Sequence, residues 1–151
     1  MSELTLTSPA FENGGEIPPK YTCDGEDISP PMTISNIPES AISLALVMDD
    51  PDAVQVGGKV WDHWILWNIP SSTTEIPEGK EPEGVQGTGT NGSKGYRGPC
   101  PPDRPHVYRF KIYALDIKLE LQAGATKREL EKVIQDHILE EAELQTSYSR
   151  H

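Results

Sequence analysis

A segment of 36 residues, from Pro70 to Pro105, most constrains what this chain can fold into. It holds seven of the 14 prolines and seven of the 13 glycines, without a regular spacing of apolar residues. Proline fixes φ and removes a backbone donor, and glycine allows turns that other residues cannot make. Loops longer than about 15 residues are uncommon in compact domains and are usually functional or disordered. We expect residues 71–93 to form a surface meander and residues 94–105, which contain four prolines, to form the wall of a pocket.

Three longer segments have the alternation and composition of β-strands. They are residues 42–50, 60–70 and 106–117, rich in β-branched, aromatic and other apolar side chains. Shorter strands are expected near Leu4–Ser8 and Met32–Ile34. Alternation puts the odd-numbered residues of the second long strand on one face, namely Trp61, His63, Ile65, Trp67 and Ile69.

One helix is predicted over residues 125–144, where apolar side chains recur every three or four positions. Thr126 and Glu129 form the pattern of a capping box at its start. His137 lies on the apolar stripe of this helix and is expected to be a core histidine. Residues 144–150 are compatible with a short closing strand. Strands followed by one late helix predict a mainly β, antiparallel fold with a C-terminal helix.

Length and charge exclude several classes of protein. At 151 residues the chain is most simply one domain, residues 1–151. A net charge of −11 repels phosphate backbones and acidic lipid headgroups, so neither nucleic acid nor a membrane surface is an expected partner. No apolar run of membrane-spanning length and no signal peptide is visible, which predicts a cytoplasmic location.

Cys23 and Cys100 fit no zinc spacing; reduced thiols are the simplest interpretation, and a bridge would require their loops to meet.

Four polar residues fall on the more apolar faces of the long strands: Asp50, His63, His106 and Tyr108. A polar group that points into a core costs roughly 1–3 kcal/mol unless it finds a partner. Asp50 ends its strand and His106 begins its own, so we expect the four to converge at one end of the sheet. Carboxylates beside imidazoles raise the pKa of the histidines and orient the rings. The expected result is a small hollow with two imidazolium donors, suited to an anion.

Two other chemistries are open to the same residues. A metal site would use His63, His106 and a carboxylate, but no His-x-His or His-x-x-x-His spacing supports it. Nucleophilic catalysis needs a serine or cysteine beside a base, yet three prolines separate Cys100 from His106 and no serine lies in a nucleophile-elbow context. Anion binding without turnover, with neither metal nor cofactor, is the favoured interpretation.

Three motifs in order resemble the signature regions of the phosphatidylethanolamine-binding protein family, also called Raf kinase inhibitor-like proteins: DDPDAV, WDHWILWNIP and GYRGPCPPDRPHVYRFKIYAL. YTCDGEDISPPMTISNIPES and HILEEAELQTSYSR extend the resemblance over nearly the whole chain, closest to the short bacterial and archaeal branch. The resemblance implies a β-sandwich-like pair of antiparallel sheets with a C-terminal helix. It also implies a pocket for phosphate-type anions, such as a phosphoethanolamine headgroup or a phosphorylated side chain. By motif, the pocket would be lined by Asp50, Asp52, His63, Gly98, Pro101, Pro102, His106 and Tyr108.

The resemblance also implies a regulator and not an enzyme, because family members mostly act on kinases or inhibit serine proteases. The main alternative is a protease inhibitor that acts through an exposed loop such as Glu75–Ser93. A third hypothesis is an acid–base or metal-assisted hydrolase. The sequence is also compatible with a homodimer. The chain departs from the family at Val107, which replaces the usual arginine on the face away from the pocket. It departs again at Asp62, where some relatives carry a second histidine.

Overall fold

Two antiparallel β-sheets and a helix are formed by the residues that the computed structural model describes, which are 3–54, 58–90, 92, 94–102 and 105–149. The small sheet has the strand order β1-β2-β5 and the large sheet β6-β4-β3-β7-β8. The expected mainly β fold with a C-terminal helix is therefore confirmed. Positions 91, 93, 103, 104 and 150 of the predicted segments lie outside the described residues. In chain order the elements are β1 (Thr5–Thr7), β2 (Met32–Ser35), β3 (Ser43–Asp50), β4 (Trp61–Pro70), β5 (Glu75–Ile76), β6 (Val85–Gln86), β7 (His106–Leu115), α1 (Lys127–Ile134) and β8 (Ile138–Tyr148).

The central strand β3 is buried on both faces along all eight of its residues. Its inner face packs against the small sheet through Leu44, Leu46 and Met48. Its outer face, with Ala45 and Val47, packs in a second cluster that includes Leu130 and Ile134 of α1. Burial on two sides explains why this strand reads as an almost continuous apolar run.

Strand β4 contains two irregularities that change which face its side chains occupy. Leu44 pairs with Ile69 but Leu46 pairs with Leu66, and Met48 pairs with Trp64 but Asp49 pairs with Asp62. At each point β4 carries one extra residue, as in a β-bulge. The predicted single face is therefore wrong. The structure puts Ile65 and Trp67 in the outer cluster, Ile69 in the inner cluster, and Trp61 and His63 at the end of the inner face.

The predicted helix of residues 125–144 is only partly correct. Its capping box forms, with Thr126 and Glu129 each accepting from the backbone of the other, but α1 ends at Ile134. Residues from Ile138 onwards form β8 and pair with β7 in antiparallel register. His137 lies between the two elements, half-buried, with Nδ1 2.8 Å from Oδ1 of Asp116, so it is not a core histidine. No helix within the described ranges is long and apolar enough to cross a bilayer.

A buried carboxylate holds the start of α1 against the outer face of the large sheet. Asp49 is fully buried and accepts hydrogen bonds from Arg109 at 2.8 and 3.1 Å and from Lys127 at 3.2 Å. Lys127 also lies 2.7 Å from Asp62 on β4. Burial alone would raise the pKa of Asp49, but the Arg109 and lysine charges lower it below its usual value. Asp49 therefore stays ionised and ties β3, β7 and α1 together.

Candidate functional site

A cavity of about 470 Å³ opens at the end of the inner face, where β3 ends and β4 and β7 begin. Two loops complete it: the loop that follows a 3₁₀ turn at Pro19–Tyr21, and residues 97–102 of the proline-rich segment. The convergence expected of four polar residues on three strands is found here. The lining residues are Cys23, Asp27, Asp50, Ala53, Lys59, Trp61, His63, Arg97, Gly98, Cys100, Pro101, Pro102, His106 and Tyr108.

A buried carboxylate–imidazole pair forms one side of the cavity. Nδ1 of His106 lies 2.6 Å from Oδ2 of Asp50, and the two side chains are 2% and 5% exposed. The other oxygen, Oδ1 of Asp50, accepts from the backbone N–H of Asp52 at 2.9 Å and so caps the 3₁₀ turn Pro51–Ala53. Because both oxygens of Asp50 are engaged, the ring of His106 is held in one orientation.

Asp52 does not line the cavity with the residues described above, although the motif predicts that it should. Its Oδ2 instead accepts from the backbone N–H of Val107 at 2.7 Å. This bond joins the turn after β3 to the start of β7, next to His106. Val107 is 39% exposed, which confirms that its side chain faces away from the cavity. Asp52 therefore positions the backbone that carries the pocket residues.

His63 lies on another side of the cavity and has a different electrostatic environment. Its Nδ1 lies 2.7 Å from the backbone oxygen of Arg97, which can only accept a hydrogen bond, so Nδ1 carries the proton. Burial lowers the pKa of His63 below its ordinary value of 6.5, although the Arg97 carbonyl and the charge of Asp50 act in the opposite direction. The ring is therefore neutral near pH 7, and the expectation of two imidazolium donors is wrong for this residue.

Tyr108 connects the two histidines. Its ring centroid is 5.4 Å from that of His63, in an edge-on arrangement, and 6.3 Å from that of His106. Burial, and after it the charge of Asp50, raises the pKa of the phenol well above its usual value. Tyr108 thus stays protonated and keeps an O–H group at the cavity under all ordinary conditions.

The proline-rich wall of the cavity is fixed to the Pro19–Asp27 loop. The N–H of Gly98 donates to Oδ1 of Asp27 at 2.7 Å, and the Tyr96 hydroxyl donates to the backbone oxygen of Tyr21 at 2.7 Å. A Cβ on Gly98 would lie 2.2 Å from that same Tyr21 oxygen. Only glycine allows the two loops to approach this closely.

The same two loops are joined covalently. Cys23 and Cys100 form a disulfide across 77 residues of sequence, and the N–H of Cys23 donates to the backbone oxygen of Pro99 at 3.1 Å. Both cysteines are exposed and both line the cavity. The prediction of two reduced thiols is therefore wrong, because the loops do meet at the rim.

Comparison with known proteins shows the family of this chain and agrees with its fold. Residues 7–149 match the family model described as phosphatidylethanolamine-binding protein. The chain belongs to that family. A UPF0098 protein of Methanothermobacter thermautotrophicus is 46% identical over 153 residues, covering 97% of this chain and 99% of that protein. A UPF0098 protein of Chlamydia pneumoniae is 43% identical over 150 residues, covering 97% and 99%.

Solved structures of the phosphatidylethanolamine-binding protein family have the same architecture. A putative homolog from Chlamydia trachomatis, CT736, has a TM-score of 0.96 and 41% identity and covers 100% of both chains. Escherichia coli YbcL, described as a new member of the mammalian PEBP family, has a TM-score of 0.90 and 31% identity, covering 99% of this chain and 100% of that one.

Several lining residues of this family member were not predicted from its sequence. Lys59 and Arg97 are exposed at the cavity. Arg97 lies within residues 94–105, the predicted pocket wall, but neither residue lies in a segment whose periodicity indicates the direction of its side chain. Trp61 shared a predicted face with His63, which was the one available signal for it. Within the described ranges, no three His, Cys, Asp or Glu side chains lie close enough together to hold a metal ion. Cys100, like Arg97, lies in the predicted wall, and the lining residues outside every predicted part of the site are Cys23, Asp27 and Ala53.

Proposed function

We propose that this protein binds a small phosphate-type anion in the cavity, without turnover, and that it regulates a partner protein. The observation that carries the proposal is the meeting of Asp50, His63, His106 and Tyr108 in one cavity. These side chains offer a carboxylate-oriented imidazole, a second imidazole and a phenol at a single concave site. Sites of this kind, concave with a few convergent polar groups, are the usual form of a small-molecule pocket.

The surroundings of the cavity support an anionic ligand in spite of the net charge of −11. Lys59 and Arg97 lie at the cavity and place two positive charges where an anion would enter. Local charges act over a few ångströms, whereas distant surface carboxylates are screened over about 10 Å at 0.1 M salt. The cavity, at about 470 Å³, also has room for more than an inorganic ion. A phosphate that carries a small organic group, such as phosphoethanolamine, suits this volume.

The test is a titration of the unmodified protein with inorganic phosphate and with phosphoethanolamine, followed through the side-chain NMR signals of the histidines. We expect His63 and His106 to shift at millimolar ligand and His137, which is paired with Asp116 away from the cavity, to stay in place. His63→Ala and His106→Ala should each weaken binding, and His137→Ala should leave it unchanged. The proposal is contradicted if the protein is folded and the NMR signals of His63 and His106 shift with neither ligand.

The regulatory part of the proposal concerns a kinase or a serine protease as partner. A protease inhibitor acting through residues 75–93 stays a separate prediction. The tip of that segment, residues 77–84, is largely exposed between β5 and β6. Incubation with trypsin-like and chymotrypsin-like enzymes tests it, and full protease activity at micromolar protein excludes it.

The hydrolase hypothesis uses the cavity residues that the binding proposal needs. A panel of phosphoesters and carboxylic esters, assayed with untreated protein and with metal added, separates the two functions. Turnover that is lost in His63→Ala or His106→Ala while ligand binding is kept would replace binding with catalysis as the function.

A further inference from the structure

His63 presents a hydrogen-bond acceptor to the cavity. Its Nδ1 is committed as a donor, because the backbone oxygen of Arg97, 2.7 Å away, has no proton to give. In the neutral ring, Nε2 then carries a lone pair. No hydrogen bond to Nε2 comes from the part of the chain that the structure describes, and His63 as a whole is only 6% exposed. The ligand is therefore the natural partner of this atom.

Burial disfavours a second proton on the His63 ring, and the groups around the ring do not offset this effect. Burial depresses the pKa of His63 in spite of nearby negative charge. The phenol of Tyr108 packs edge-on against the ring. The charged and titratable groups that face His63 or act on it from the neighbouring elements are Asp49 and Asp50 on β3, Asp62 on β4, His106 and Tyr108 on β7, and Arg97 on the rim.

A fully ionised oxyanion has only acceptor oxygens, and one of them would face the Nε2 lone pair. A phosphate that keeps one proton has an O–H group that can donate to Nε2 while its other oxygens accept from the remaining pocket groups. The carboxylate of Asp50, which also lines the cavity, disfavours the more highly charged form of the same ligand. Protonated and unprotonated oxyanions of equal shape should therefore bind with different affinities.

We infer that the cavity selects a phosphate-type oxyanion that carries a proton, which donates to Nε2 of His63. This inference rests on the proposed function and names the protonation state of its ligand. Sulfate is the matched non-ligand, because it has the shape and charge of hydrogen phosphate but keeps no proton at neutral pH. Phosphomonoesters lose their last proton near pH 6, whereas inorganic phosphate retains one throughout the neutral range.

The experiment is calorimetric titration of the wild-type protein with phosphate, sulfate and phosphoethanolamine at pH 6 and pH 8 and constant ionic strength. We expect phosphate to bind at least tenfold more tightly than sulfate at both pH values. We expect the affinity for phosphoethanolamine to fall severalfold at pH 8, relative to that for inorganic phosphate. Nitrogen NMR of His63 should show Nδ1 protonated and Nε2 unprotonated with and without phosphate. A His63→Phe variant should lose the preference for phosphate over sulfate, and His137→Phe should retain it.

Each other outcome has a definite meaning. Equal binding of sulfate and phosphate, or a doubly protonated His63 ring in the complex, overturns the inference and leaves the proposed function intact. Absence of binding by phosphate and phosphoethanolamine alike removes the proposed function, and the inference falls with it. Because the NMR measurement uses unmodified protein, the result does not depend on whether His63→Phe folds.

Discussion

Nδ1 of His106 lies 2.6 Å from Oδ2 of Asp50, and both side chains are almost completely removed from solvent. A second pair of the same chemistry, His137 and Asp116, is joined at 2.8 Å but is more than one-third exposed. The two pairs differ mainly in burial. The chain therefore contains its own control for what a buried carboxylate contributes at the cavity.

Asp50→Ala should destabilise the protein by about 3 kcal/mol, because it leaves a buried imidazole and a backbone N–H without their acceptor. Asp116→Ala should change the free energy of unfolding by less than about 1 kcal/mol, as expected for an exposed pair. Urea denaturation of the two variants beside the wild type makes the comparison. If both variants lose the same free energy of unfolding, burial does not make the Asp50–His106 pair more stabilising than the exposed pair.

Gly98→Ala should destabilise the cavity rim, since the new Cβ would meet the Tyr21 oxygen at 2.2 Å. Crowding of this kind in a packed site costs roughly 1–3 kcal/mol. Gly15→Ala is the milder control, because its Cβ would lie 3.1 Å from its nearest neighbour, the backbone oxygen of Glu12. Thermal melting and phosphate titration of both variants test the prediction. A Gly98→Ala protein with wild-type stability and affinity would mean that the loops can separate without consequence.

Removing the disulfide with Cys23→Ser and Cys100→Ser together should lower the free energy of unfolding by about 4 kcal/mol on the chain-entropy model, given a closed loop of this length. The 77-residue separation makes the constraint on the unfolded chain large. Reductant should lower the free energy of unfolding of the wild-type protein and leave that of the double variant unchanged. Alkylation of both cysteines in untreated, freshly purified protein would contradict the bond itself.

The stability of the protein should fall as the pH is lowered through the region just below 6.5, in part because of His63. The pKa of this ring is depressed in the folded state, so the unfolded chain binds the proton first and acid favours unfolding. Above the pKa of the unfolded chain, both states hold a neutral His63 and the free energy of unfolding is at its full value. Below that pKa, the free energy of unfolding falls by up to about 1.4 kcal/mol per pH unit. Urea midpoints between pH 7.5 and 5.5 should show this slope in wild type and in His137→Gln. The slope should be reduced in His63→Gln, and an unchanged slope there would assign the effect to other groups.

Much of the site could be predicted because β3 and β7 are adjacent and antiparallel. Asp50 ends one strand where His106 begins the other, and simple alternation then puts both on the inner face. The prediction that His63 belongs to the site rests on weaker grounds, because the expected alternation of β4 also puts Ile65 on its face. A bulge that no local pattern indicated separates the two residues. The position of His63 was thus predicted correctly by an incomplete argument.

The C-terminal region shows why tertiary contacts limit what local patterns can predict. Residues 138–144 are rich in glutamate, alanine and leucine, which favour a helix. In the structure this stretch pairs along the ten-residue strand β7, so its tertiary context overrides the local helix tendency. Local patterns do not predict the disulfide for a related reason. It joins two segments without periodicity, so nothing in either one indicates that they meet.

The extra residue at the His63 end of β4 makes the cavity depend on the number of residues as well as on their type. If one position between Trp61 and Trp64 were deleted, this end of β4 would return to plain alternation with β3, while the irregularity between Leu66 and Ile69 would remain. A histidine kept in the motif would then shift relative to Asp50. A relative with every pocket residue type but a single-residue insertion or deletion in this stretch should therefore lack the site. Alignment gaps at this point are a sharper criterion for sharing this chemistry than identity at the histidine alone.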